Sequence, residues 1–270
     1  MKKIVIALGG NALGNTPAEQ LELVRQTAKP IVDLIEEGNQ VVIAHGTGPQ
    51  VGMINLGMST AAEAGAIKSD MPFPECGAMS QGYIGYHLQN SIANELAARG
   101  IQKTVGTLVT QVLVDEADPA FQKPSKPVDV VEKDMVNTLV DSGYVVITVG
   151  GGGIPVVKKD GRLVGTPAVI DKDFASAKLA ELIGADMLVI LTAVDRVAIN
   201  WGKPDQKALA EMTVDEAEKY CGEGHFAPGS MLPKVQAAMS FAKAGGTAII
   251  ASLENAAAAL RGESGTRIVK

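Results

Sequence analysis

Short runs of apolar, strand-forming residues, each closed by glycine, constrain this chain more than any other feature. Ile4 to Leu8 runs into Gly9-Gly10-Asn11, Val41 to Ala44 into His45-Gly46-Thr47-Gly48, and Tyr144 to Val149 into Gly150-Gly151-Gly152-Gly153. A strand that is apolar at successive residues is buried on both faces, the mark of a parallel sheet covered by helices on each side. A glycine turn at the strand's carboxyl end lets backbone N–H groups approach an anion, and a helix start behind it adds a favourable dipole. With a looser fourth turn at Gly229-Ser230, the pattern predicts an α/β fold that holds phosphate at its strand ends.

The intervening segments read as helices. Thr16, Pro17 and Glu19 form a helix start, with Thr as N-cap, Pro at the first helical position and Glu three residues past the cap. Leu21, Val24, Ala28, Ile31 and Ile35 then recur at helical spacing until Gly38, which completes a βαβ unit. Further on we expect a helix from Gly77 to about Ala98, with Ala78, Gly82 and Gly85 on one side. A strand from Lys103 to Val114, a polar loop from Asp115 to Pro127, a helix from about Val130 and a hairpin of Ile154–Val157 with Arg162–Val164 follow. The second half repeats the alternation, with helices at 173–183, 214–220 and 231–244 and strands at 187–191, 248–251 and 267–269. No repeat or low-complexity linker divides the chain. We therefore place a boundary near Gly165, giving lobes of residues 1–165 and 166–270 that share one sheet.

Charge and cysteine content narrow the function. A net charge of −6 and a pI near 5.2 argue against a nucleic-acid or anionic-membrane surface. Cys76 and Cys221 lie far apart without metal-ligand spacing, which fits a reducing compartment. No apolar run reaches membrane-spanning length, and Met1-Lys2-Lys3 enters the first strand without a cleavage-site pattern. The expected location is the cytoplasm, with neither nucleic acid nor membrane as partner.

Several chemistries are disfavoured. Gly46 to Gly52 nearly matches a dinucleotide fingerprint, but its third glycine falls one residue late, and Gly202-Lys203 is followed by Pro204 rather than the Ser or Thr of a Walker loop. The three histidines show no metal spacing, and no serine elbow is present. Two lysines stand out instead. Lys172 lies between Asp171 and Asp173 where a helix should begin, and Lys234 follows the helix start at Ser230 within about one turn. A cation at the positive end of a helix costs about 0.3–1 kcal/mol, so the pair implies an anion between them. Phosphoryl transfer, which needs positioning and positive charge, fits these features.

The stretches Ala7 to Leu13, His45 to Gly52, Cys76 to Gly82, Asp118 to Phe121, Ala168 to Asp173, Asn200 to Asp205 and Phe226 to Lys234 together resemble the carbamate kinases of the amino-acid-kinase family. The resemblance runs in order from Ile4 to the C-terminus. It implies a three-layer αβα sandwich with a mainly parallel central sheet, a homodimer, and reversible transfer between ATP plus carbamate and ADP plus carbamoyl phosphate. Mg²⁺ would ride on the nucleotide phosphates with no protein ligand, and the physiological direction would be toward ATP in arginine degradation.

By the same resemblance, Gly9, Gly10 and Asn11 would hold the transferred phosphoryl group, and Gly46, Thr47, Gly48, Gly151 and Gly152 would receive carbamate. Lys172 and Lys234 would neutralise the migrating charge, with Asp173 orienting both. Thr192, Ala193, Val194, Pro228, Gly229 and Met231, with Lys234, would hold the nucleotide. The first lobe would thus be the acceptor side and the second the nucleotide side.

One departure is visible. Family members carry a protruding lid subdomain between two proline- and lysine-bearing stretches, whereas here Lys123-Pro124-Ser125-Lys126-Pro127 runs straight into Val128-Asp129. The lid is therefore expected to be missing and activity to be reduced. Lys126 matches either the lysine that reaches the carbamate site or the one at the lid's exit. Two other readings stay open. A kinase of another small carboxylate would need an arginine beside Gly46–Gly52, where none stands. A non-catalytic nucleotide-binding protein of this fold would have little use for Lys172, Asp173 and Lys234 together.

Overall fold

The computed structural model describes residues 1–9, 13–14, 16–118 and 125–270. Gly10 and Asn11, assigned above to the phosphoryl group, lie outside the described residues, as do residues 119–124. In chain order the elements are β1 (Lys3–Leu8), α1 (Pro17–Glu36), β2 (Gln40–His45), α2 (Gly48–Glu63), α3 (Phe73–Ala98), β3 (Val105–Thr107), β4 (Gln111–Leu113) and β5 (Asp129–Val130). Next come α4 (Lys133–Asp141), β6 (Val145–Ile147), a 3-10 turn (Gly150–Gly152), β7 (Ile154–Lys159), β8 (Arg162–Gly165), α5 (Lys172–Leu182) and β9 (Met187–Thr192). The chain finishes with β10 (Ala198–Ile199), β11 (Lys207–Ala208), β12 (Glu211–Thr213), α6 (Val214–Gly222), α7 (Met231–Lys243), β13 (Thr247–Ser252), α8 (Ala256–Leu260) and β14 (Thr266–Val269).

Among the described residues, eight strands form one sheet in the order β12-β14-β13-β9-β1-β2-β6-β3. Its pairings are parallel except β13 with β14. β1 lies at the centre, and its side chains alternate between two cores. Ile4, Ile6 and Leu8 pack with α1, α3 and α8, whereas Val5 and Ala7 pack with α4, α5, α6 and α7. Helices therefore cover both faces, which explains why the strand is apolar at every residue from Ile4 to Leu8. The strands before Gly165 form one contiguous half of this sheet and those after it the other.

Local signals account for the element boundaries. The Thr16 hydroxyl accepts from the Glu19 N–H at 3.3 Å and the Glu19 carboxylate accepts from the Thr16 N–H at 3.3 Å, a closed capping box that starts α1. The hairpin of β7 with β8 forms as expected, turning through Asp160 and Gly161.

Two expectations need correction. The stretch from Lys103 to Val114 is two strands in different sheets: β3 ends the large sheet, while β4 joins a second, four-stranded sheet ordered β5-β4-β7-β8. The break comes at Thr110, whose backbone N–H donates to the Gln81 amide at 2.8 Å instead of to a strand, and whose carbonyl accepts from Gln81 at 3.1 Å and from the Ile154 N–H of the second sheet at 2.8 Å. Helix α2 was not foreseen, because its Gly, Met and Ala residues form no one-sided apolar stripe.

Candidate active site

The two lysines flagged by their position converge. Asp171 is the N-cap of α5, its carboxylate accepting from the N–H groups of Asp173 at 2.8 Å and Phe174 at 3.4 Å. This cap places Lys172 and Asp173 in the helix's first turn. Asp173 Oδ1 accepts from Lys172 Nζ at 2.5 Å, and its Oδ2 accepts from Lys234 Nζ at 2.9 Å. Lys234 comes from the first turns of α7, whose N-cap is Ser230 as expected, although the Ser230 hydroxyl makes no capping hydrogen bond.

The anion implied between the lysines is thus, in the first instance, Asp173, whose side chain is 2 % exposed. Burial alone would raise its pKa, but the two ammonium groups reverse this and hold it below the usual carboxylate range. Burial pushes the Lys172 ammonium down despite Asp173 beside it, and the charge on Lys234 works in the same direction. Two cations against one carboxylate leave the cluster with a formal excess of one positive charge, held in a largely dry setting where it acts strongly.

Lys172 also lines a cavity of about 320 Å³ together with Gly46, Thr47, Gly48, Gln50, Gly150 and Gly151. Helix α2 points its N-terminus at this cavity, and its N-cap residue Thr47 makes no side-chain capping bond, which leaves N–H groups of its first turn to an anion. The far wall is the 3-10 turn at Gly150–Gly152. Gly151 has φ 68°, and a Cβ on it would run into the Thr47 hydroxyl, so only glycine fits. Behind the wall, Gln81 donates to the Gly150 carbonyl at 3.0 Å, and Val149 is held at φ 44° with its N–H donating to Thr110 Oγ1 at 3.2 Å. A β-branched residue in that region is strained, and such strain collects at functional sites.

A second cavity, of about 580 Å³, opens beside the start of α7 and is lined by Thr192, Ala193, Val194, Trp201, Ser230 and Met231, among others. Thr192 and Ala193 also line a larger groove that reaches Gly9 at the end of β1. The lysine cluster stands between the two cavities, with Lys172 at the first and the α7 start at the second.

Not every expected residue gathers here. Gly152 is absent from the cavity lining, its Cα lying against the Ile170 carbonyl, and Pro228 and Gly229 do not line the second cavity. Lys126 lines a separate groove between α5 and α7, with Phe174, Lys178, Gln236 and Met239. It is the one candidate among the described catalytic residues that the structure does not bring to the cluster.

Residues 2–252 match the model of the Amino acid kinase family. The chain belongs to the amino acid kinase family. Within that family its relatives include the carbamate kinase of Clostridium perfringens, 51% identical over 313 positions that cover 99% of this chain and all of the relative. A carbamate kinase of Staphylococcus haemolyticus is 50% identical, with both chains fully covered. Among solved structures of the family, carbamate kinase from Giardia lamblia bound to AMP-PNP superposes with a TM-score of 0.95 at 41% identity, covering all of this chain and 98% of that one. The alignment to the clostridial relative is longer than the 270 residues of this chain, so that amino acid kinase carries a few tens of residues absent here. No helix among the described residues is long and apolar enough to cross a membrane.

Several residues of this amino acid kinase site escape a reading of the sequence. His45 is buried against Gly150 and feels the charge of Lys172. Gln81 and Gln50 appeared only as letters within matched stretches. Their roles rest on partners 29 to 69 residues away, and no local spacing announces such partners.

Proposed function

We propose that this chain is a carbamate kinase, transferring a phosphoryl group reversibly between ATP and carbamate. The observation that carries this reading is the pairing of Lys172 and Lys234, from different helices, on the two oxygens of Asp173 between two cavities. Carbamate, already an anion, needs no general base. One of its oxygens attacks the γ-phosphorus as the bond from phosphorus to the β,γ-bridging oxygen breaks, leaving ADP. Lys172, at the acceptor cavity, and Lys234 face the charge that spreads over the phosphoryl oxygens, while Asp173 keeps both ammonium groups in place. Gly46, Thr47 and Gly48 with Gly151 hold carbamate at the start of α2, Gly9 with Gly10 and Asn11 the phosphoryl group, and the second cavity the adenosine.

A kinase acting on ATP calls for a divalent cation, which we take to be Mg²⁺. Among the described residues no group of three His, Cys, Asp or Glu could hold a metal, and both Asp173 oxygens are engaged by lysines. We take the cation to ride on the nucleotide phosphates, where it screens their charge. The remaining assignments are part of the same proposal: acceptor and nucleotide lobes divided near Gly165, a homodimer supported by exposed Met53 and Leu56 on α2 and Tyr86 on α3, and net flux toward ATP in arginine degradation. The two free cysteines suit a cytoplasmic setting.

Formation of ATP from ADP and carbamoyl phosphate tests the reading directly. Lys172→Ala should lower kcat by roughly 10³-fold, with a melting temperature close to that of the unaltered chain. Turnover within tenfold of normal would remove Lys172 from the chemistry.

A further inference from the structure

Gln50 lies in the first turn of α2, on the wall of the acceptor cavity, and is 2 % exposed. Its Nε2 donates to the Gly14 carbonyl at 2.9 Å. A carbonyl oxygen can only accept, so this contact fixes which end of the amide is nitrogen. The other end, Oε1, is buried and has no hydrogen-bond partner among the described residues. Most buried acceptors are paired, and one that is not calls for an explanation.

The same helical turn presents the N–H groups of Gly48 and Gln50 at an end that the N-cap Thr47 side chain does not cap, a place for the negative end of a ligand. An anion-binding edge and an orphan acceptor therefore stand side by side in one wall. We propose that Gln50 is the specificity residue for the amino group of the acceptor, its Oε1 accepting an N–H of carbamate while the helix start holds the carboxylate end. The inference rests on the carbamate reading above and adds to it the basis for choosing an amide-bearing substrate over an isosteric carboxylate with a methyl group.

Two unreactive analogues of carbamoyl phosphate isolate this contact: phosphonoacetamide, which keeps the amino group, and acetonylphosphonate, which replaces it with methyl. ATP formation from ADP and carbamoyl phosphate by the unaltered chain is measured first. Its absence overturns the carbamate reading and this proposal with it. Calorimetry in the presence of ADP should then show the amide bound about tenfold or more tightly than the methyl ketone. Gln50→Met should weaken the amide by a similar factor, leave the ketone within about twofold, and so abolish the preference. Equal affinities on the unaltered chain, which need no variant to fold, overturn the role of Gln50 alone, as does an equal loss for both analogues in Gln50→Met.

Discussion

His45 is a residue whose chemistry burial changes. Its Nδ1 lies 2.9 Å from the Gly46 carbonyl, so the neutral ring carries its hydrogen there. Burial pushes its pKa down to about 4, the Gly46 hydrogen bond opposes that shift, and the charge on Lys172 adds to it. In an unfolded chain the same ring titrates near 6.5. Between these values the unfolded state takes up a proton that the folded state refuses, so His45's contribution to stability is complete above about pH 6.5. It falls as the pH drops toward about 4, a loss of about 3 kcal/mol over the window. Urea unfolding at pH 7 and pH 4.5 should show this loss in the unaltered chain and a smaller one in His45→Gln; equal losses would exclude the ring as the source. The lysines were legible because cations at helix starts contradict the local field. His45 was not, since nothing in a His-Gly dipeptide tells a buried ring from a solvated one.

At the scale of elements, the wall of the acceptor cavity depends on a turn that local preference resists. Val149 occupies the left-handed region at φ 44°, which costs on the order of 1–3 kcal/mol, and the next residues turn back over Thr47. Gln81, from the middle of α3, holds this arrangement with three hydrogen bonds of 2.8 to 3.1 Å to Thr110 and Gly150. Gln81→Leu leaves the buried Thr110 N–H unpaired, while the Thr110 and Gly150 carbonyls keep their bonds from the Ile154 and Gly153 N–H groups, and should lower stability by about 2 kcal/mol. It should also raise KM for carbamoyl phosphate roughly tenfold while leaving KM for ADP unchanged, because the wall moves but the second cavity does not. A rise in both constants together would mark Gln81 as a general support of the fold. This contact also shows why the central strands and α1 could be read in advance while the Lys103–Val114 stretch could not. Apolar runs and a capping box are local, whereas the break at Thr110 is imposed by a side chain 29 residues earlier.

For the whole molecule, the decisive question is what covers the acceptor cavity. No described residue from 115 to 118 or from 125 to 127 lines it. Instead, the Ser125 N–H bonds the Val169 carbonyl at 2.7 Å, Ser125 bridges Ile170, and Lys126 turns toward the groove between α5 and α7. Ser125 and Lys126 are thus tied to the segment leading into Lys172 and to the groove beside it. The clostridial relative carries a few tens of residues more, and the Ser125-Lys126-Pro127 stretch is where the family's lid would emerge. A closing lid excludes water and completes the charge around the acceptor. Without one, nucleotide affinity should be retained, since the second cavity is built from β9, α7 and the loops beside them. Carbamoyl phosphate should bind weakly and lose part of its phosphoryl group to water. Calorimetry should give an ADP affinity within about threefold of that of the clostridial enzyme, while a coupled assay run beside it shows a KM for carbamoyl phosphate higher by roughly tenfold or more. Phosphate release should exceed ATP formed only in the chain without the extra residues. Matching KM values and a one-to-one yield of ATP would mean that the sandwich closes its own site, and the lid would then serve some purpose other than catalysis.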